Sequence, residues 1–235
     1  MHTGTLILWD VDATLLTTGG IGGQVMRSAM AQVFGEMGAR ERTFFSGKTD
    51  RQIIHEAFPN ITPEALAMQL DRFRSVYVTE FERRRADLEA HARPLAGAVD
   101  VLRHLHGRVV QAPLTGNIAP IARLKLELVG LLPFVDASIG GYGDDHHDRA
   151  QLLPVAVERA TRHYQRLFRT QDVIIVGDTP NDIRCGRFSG ARTVAVATGP
   201  YSLEELQAHE PDALLPDLAD LPAVLHALFG TAPLP

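Results

Sequence analysis

Thr5-Leu6-Ile7-Leu8-Trp9-Asp10-Val11-Asp12-Ala13-Thr14 is an apolar, partly β-branched run that stops at an acidic cluster, and the Thr17 to Gly23 stretch after it is rich in Gly and Thr. This reads as a buried strand feeding a loop. From Ile21 to Phe34 the pattern turns helical. After a Gly-rich break, Ser46-Gly47-Lys48-Thr49-Asp50 leads into a short helix around Ile53 to Phe58, and Pro63 suits the first position of a long helix. Leu66, Leu70, Phe73, Tyr77 and Phe81 recur at helical spacing on one face of it, with Arg83, Arg84 and Arg85 beyond.

After Pro94 the grammar alternates. Strands are expected at Val109 to Leu114, Ala137 to Ile139, Val173 to Val176 and Thr193 to Ala197. Between and after them lie helices at Pro120 to Leu128, around Leu153 to Tyr164, at Asp182 to Phe188 and at Leu221 to Phe229. Such alternation specifies an α/β fold, a Rossmann-like parallel sheet with helices on both faces. The helical stretch interrupts it after the first strand, which divides the chain into a core of residues 1–17 and 94–235 and an inserted helical domain of residues 18–93. The Pro-rich tail Ala232 to Pro235 is expected to fray.

Composition narrows the function. Of 235 residues 45% are apolar and 22% charged, average for a folded protein, so collagen, disorder and repeat arrays are excluded. A chain of this length hides roughly 70 to 75% of its unfolded surface, enough for one sizeable core and a smaller second one. With 23 Lys and Arg against 28 Asp and Glu, and no long basic run, nucleic acid is not an expected partner. Cys185 is the single cysteine, which excludes intrachain disulfides and Cys-rich zinc sites and suits a reducing compartment. Apolar runs are strand-length and no signal-peptide pattern is visible. The expectation is a cytoplasmic protein without a membrane partner, monomeric or homodimeric.

Three apolar runs end in polar clusters: Asp10-Val11-Asp12-Ala13-Thr14, Thr115-Gly116-Asn117, and Gly177-Asp178-Thr179-Pro180-Asn181-Asp182. In a doubly wound sheet ligands bind outside the carboxyl ends of the strands, so all three can converge on one rim. Four carboxylates gathered there would repel one another unless a cation sat among them, and oxygen ligands of this kind suit Mg²⁺.

Trp9-Asp10-Val11-Asp12-Ala13-Thr14-Leu15 resembles the first motif of the haloacid dehalogenase-like hydrolase superfamily, most of whose members are Mg²⁺-dependent phosphatases. Thr115 is similar to the Thr or Ser of its second motif, and Gly177 to Asp182 to its fourth. The resemblance covers the whole chain, because the family's helical C1-type cap is also inserted after the first strand. Ala13 stands where Gly is usual, a change that stiffens the loop without removing a reacting group. The third motif, normally a Lys, is represented here by Arg149 or Lys125.

The resemblance and the chemistry of phosphoryl transfer together assign roles. Asp10 would attack phosphorus to give an aspartyl phosphate. Asp12 would protonate the leaving oxygen and then deprotonate the hydrolytic water, its main-chain carbonyl also ligating the metal as the family implies. Asp178 would ligate Mg²⁺ directly, and Asp182, one helical turn on, directly or through water. Thr115 and the amide of Gly116 would hold phosphate oxygens, with Asn117 a weaker candidate. Of the two cations Arg149 is preferred, since it lies nearer the family's spacing and can grip phosphate bidentately. Lys125 is assigned to a solvated helix face because Leu124 and Leu128 should face inward. His146-His147-Asp148 reads as a polar loop.

The inserted domain should govern selectivity. Phe45-Ser46-Gly47-Lys48-Thr49-Asp50-Arg51 resembles the cap loop that dips toward the active site in phosphoglycolate phosphatase-like members, where Lys48 or Arg51 could meet a second anionic group. It reads equally as a helix N-terminus capped by Thr49 or Asp50. Gly19, Gly20, Gly22 and Gly23 suit a hinge for cap motion. The activity implied is hydrolysis of a small phosphorylated metabolite, phosphoglycolate-like or a sugar phosphate. Three rivals remain. A dehalogenase of the same fold has no use for an acid at Asp12. A β-phosphosugar mutase shares both carboxylates. A receiver-type phosphoacceptor domain also gathers Asp, Thr, Lys and Mg²⁺, without the two-Asp motif and an insert of this size.

Overall fold

A computed structural model describes residues 4–35 and 45–230. The tail at 232–235 lies outside them. Strand β1 (Leu6–Trp9) is wholly buried and sits in the middle of a six-stranded parallel sheet. It pairs on one side with β4 (Val110–Thr115) and on the other with β6 (Val173–Gly177). Outward of β6 come β7 (Arg192–Val196) and β8 (Ala213–Leu215), and outward of β4 comes β5 (Gly141–Tyr142). A parallel sheet must be covered on both faces, which explains why its strands read as apolar runs rather than as alternating patterns.

The pleat sorts β1 into the two cores. Ile7 and Trp9 join Ala98, Val101, Leu102 and Leu105 of α5 (Ala98–Leu105) and Val224 and Leu228 of α10 (Leu221–Phe229) on one face. Leu6 and Leu8 join Leu152, Leu153, Ala156 and Ala160 of α7 (Leu152–Tyr164) and Cys185 of α8 (Pro180–Ser189) on the other.

A third core belongs to the insert. The chain leaves the sheet through β2 (Leu16–Thr17) and returns through β3 (Arg93–Pro94), and the two pair antiparallel. Between them α1 (Ile21–Phe34), α2 (Asp50–Ala57), α3 (Pro63–Arg83) and α4 (Arg85–His91) bury Val25, Met26, Ile53, Ile54, Phe73, Tyr77 and Phe81 among themselves. Helix α6 (Ala119–Leu128) reaches both cores, giving Ile121 and its N-cap residue Ile118 to the insert and Leu126 to the sheet.

Two expectations need correction. The short strand expected at Ala137 to Ile139 lies instead at Gly141–Tyr142, because only there does the backbone run in register with Leu114 and Thr115 of β4. Lys125 is not on a solvated face. It is 4% exposed, since α6 is sandwiched between sheet and insert and has few solvated sides.

Candidate active site

The carboxyl ends of β1, β4 and β6 meet in a cavity of about 200 Å³ lined by Asp10, Asp12, Ala13, Thr115, Gly116, Asn117, Lys125, Arg149 and Asp178, with the insert as its roof. Each side chain is placed by a strand that has just ended. Asp10 follows Trp9, and its amide still donates to Val176 of β6 at 2.8 Å. Asp178 follows β6, and Asp182 stands on the first turn of α8.

Asp10, Asp178 and Asp182 are buried, and one carboxylate oxygen from each lies within 4.8 Å of the others. Burial pushes the Asp178 carboxyl up to about 9, and the neighbouring charges of Asp10 and Asp182 add to the rise. Burial also lifts Asp10 to about 6, against the pull of Arg149. Three carboxylates share this nest with one cation. Arg149, 2% exposed, places Nη2 2.8 Å from Asp10 Oδ1 and 3.2 Å from the Leu114 carbonyl, and donates also to Asp182 Oδ1. Burial works against its charge, but Asp182 and Asp10 outweigh that and keep it a guanidinium. One guanidinium does not balance three carboxylates. The donor set of Asp10, Asp178 and Asp182, all oxygen and short of positive charge, therefore fits a hard divalent cation. Asp182 is the more committed residue. Besides Arg149, it accepts the Thr179 amide at 3.1 Å and the Thr179 hydroxyl at 2.7 Å, which caps α8.

Asp12 faces the cavity from the other side, its side chain 42% exposed. Lys125 Nζ grips both its oxygens at 2.8 and 2.6 Å and also meets Asn117 Oδ1 at 2.8 Å, while Asn117 Nδ2 donates to Asp12 Oδ2 at 2.6 Å. Arg149 and Lys125 thus both reach the site, on different carboxylates. Thr115 is buried and lines the cavity, accepting from Asn117 Nδ2 at 2.9 Å. Thr14, quoted in the first motif without a role, donates to Asp178 Oδ1 at 3.1 Å.

The insert is seated on this rim. The Asp50 amide donates to the Gly116 carbonyl at 2.7 Å, and the Thr49 hydroxyl to that of His147 at 2.6 Å, while Asn181 donates to that of Gly47 at 3.0 Å. The approach is so close that a Cβ at Gly116 would stand 1.8 Å from the Lys48 carbonyl oxygen. The 45–51 stretch is both a helix N-terminus and part of the cavity wall. Thr49 caps α2, accepting the Gln52 amide, and Lys48 and Asp50 line the cavity. Arg51 does not line it. Lys48 is already paired, its Nζ 2.5 Å from Glu56 Oε2. The insert's carboxylate in the cavity is Asp50, while Thr49, the other cap candidate, is the residue that caps α2. Asp50 accepts the Ile118 amide at 2.9 Å, and burial lifts its carboxyl to about 7.

Ala13 has φ +62°, the left-handed region that favours glycine, and its amide donates to Leu16 at 2.8 Å to close the turn. An L-residue there costs about 1–2 kcal/mol, and glycine's extra unfolded-chain entropy returns about 0.5–1 kcal/mol of that difference. Ala13→Gly is therefore expected to stabilise the protein by about 0.5–1 kcal/mol in urea unfolding. An unchanged midpoint would show that the turn holds no such strain.

The model of the haloacid dehalogenase-like hydrolase family matches residues 7–196. The chain belongs to this family. It is 24% identical over 223 residues to the pyrophosphatase PpaX of Halalkalibacterium halodurans, covering 93% of this chain and 96% of that protein. Among solved structures it is similar to a predicted phosphatase from Clostridium acetobutylicum, with a TM-score of 0.69 and 18% identity over 94% of this chain and 98% of that one. It is also similar to a Thermotoga maritima protein provisionally called a beta-phosphoglucomutase, with a TM-score of 0.59 and 15% identity over 96% and 100% of the two chains. The chain is thus a hydrolase of the haloacid dehalogenase-like type. Among the described residues no helix is long and apolar enough to cross a membrane.

Proposed function

We propose that the chain is a Mg²⁺-dependent phosphatase that hydrolyses a small phosphorylated metabolite through an aspartyl phosphate on Asp10, with residues 18–93 as a cap over the site. The observation that carries this reading is the buried Asp10, Asp178 and Asp182 cluster facing Asp12 across one cavity. Asp10 is the nucleophile, held by Arg149. Asp12 is the proton carrier, kept in place by Lys125 and Asn117 and exposed toward the leaving group. Thr115 and the Gly116 amide hold phosphate oxygens where negative charge grows. Mg²⁺, held by Asp10, the Asp12 main-chain carbonyl and Asp178, would offset charge on the phosphate and leave phosphorus open to attack. The seated insert keeps bulk water from the aspartyl phosphate.

Turnover of p-nitrophenyl phosphate tests this. Activity should vanish in EDTA and return with Mg²⁺, and full activity in chelator would overturn the reading. A single equivalent of phosphate taken up without turnover would favour the receiver-type alternative. Isomerisation of a sugar phosphate without net phosphate release would favour the mutase.

A further inference from the structure

The chemistry at the rim uses only phosphate and metal, and leaves the roof of the cavity without a task. Met26, Phe45 and Ile53 make that roof apolar, but Asp50 and Tyr77 do not. Tyr77 is 2% exposed, with its ring against Phe73 at 5.4 Å between centroids. Its hydroxyl forms no hydrogen bond to any described residue, and it lies in the field of Asp50 and Asp12. Packing alone would be served by phenylalanine, as at Phe73 and Phe81 one helical repeat either side, so the hydroxyl is a polar group on the cavity wall without an assigned role. Asp50 is in the same condition at one atom. Its Oδ2 accepts the Ile118 amide, while Oδ1 has no donor among the described residues.

We infer that the Tyr77 hydroxyl and Asp50 Oδ1 together bind a hydroxyl group on the carbon skeleton of the substrate, which is therefore a sugar or other polyol phosphate. A hydroxyl satisfies both groups at once, donating to the carboxylate and accepting from the phenol. A second anion would fare badly. It would face the like charge of Asp50, and Lys48, the cation assigned to meet it, is already neutralised by Glu56. The apolar roof suits the C–H faces of a polyol. At about 200 Å³ the cavity is smaller than the roughly 300–1,000 Å³ of drug-sized sites, so the skeleton is short. The inference rests on the phosphatase reading and names its substrate class.

Three matched esters test it with Mg²⁺ present: glycerol 3-phosphate, n-propyl phosphate, which lacks the hydroxyls, and 3-phosphoglycerate, which carries a carboxylate. The wild type should show kcat/KM for glycerol 3-phosphate roughly 10- to 100-fold above n-propyl phosphate, the scale of a hydrogen bond to a charged group, and more than about 10-fold above 3-phosphoglycerate. Tyr77→Phe, which keeps the ring and leaves the Asp50 contact, should lower the first ratio roughly 3- to 10-fold, the scale of the neutral hydrogen bond it removes. Asp50→Asn, which still accepts the Ile118 amide, should narrow the second. A wild type that prefers 3-phosphoglycerate, or a Tyr77→Phe variant that keeps the first ratio, would overturn the inference while leaving the phosphatase intact. Absence of turnover of all three esters and of p-nitrophenyl phosphate would overturn the phosphatase reading, and this inference with it.

Discussion

Asp12→Asn is expected to lower kcat by about 10²- to 10⁴-fold for alkyl phosphates, the range of a lost general acid or base. The substitution keeps the shape of the side chain and leaves the main-chain carbonyl in place. What it removes is the proton and the charge that Lys125 grips at 2.6 and 2.8 Å. Those two effects separate by leaving group. An alkoxide needs a proton as it departs, whereas p-nitrophenolate does not, so the loss should shrink for p-nitrophenyl phosphate. Measuring kcat on both esters decides the matter. Equal losses would mean that Asp12 serves the site by holding Lys125, and Lys125→Met should then reproduce the defect.

The residues legible in the sequence share one property. Asp10, Thr115 and Asp178 each stand at or just beyond the end of an apolar strand, where an abrupt change of polarity marks both the strand's end and the ligand edge of a parallel sheet. Arg149 was found because it opens a helical pattern at the family's spacing, on a 3₁₀ turn (Arg149–Gln151) that leads into α7. Lys125 ranks below Arg149 in the sequence, on a solvated face, because helical periodicity assumes one buried side, and α6 has two. Tyr77 was missed for the opposite reason. It falls on the apolar stripe of α3, where periodicity marks burial, and nothing in the spacing tells that its hydroxyl lacks a partner. Asp50 carries no such pattern either, because its role depends on a contact with Ile118, 68 positions along the chain. The strand β8 and the helices α4, α5 and α9 (Leu203–Gln207) were not assigned. They are short, and packing against the sheet or the insert decides them more than local propensity does.

Arg149→Met should cost the metal-free protein about 3–5 kcal/mol of stability, the scale for removing one partner of a buried ion pair. The volume of the side chain is nearly kept, so packing loss contributes little. The cost comes from Asp10, Asp178 and Asp182, left within 4.8 Å of one another with no cation among them. Its pH dependence follows from the same cause. Burial already raises Asp10 and Asp178, so protons can take the place of the missing guanidinium at pH 5 but are progressively withdrawn as pH rises toward 9. The difference from wild type, measured by urea unfolding in EDTA, should therefore be smaller at pH 5 than at pH 8. Mg²⁺ should narrow it at pH 8, because a divalent cation restores the missing charge and binds only the folded nest. Arg149→Lys should fall between the two, keeping the charge but not the planar fork that reaches Asp10, Asp182 and the Leu114 carbonyl together. If Arg149→Met were as stable as wild type in EDTA at pH 8, the charged carboxylates of the nest would not need a cation beside them in the native protein. The electrostatic case for a cation among them would then fail, whatever the enzyme's activity.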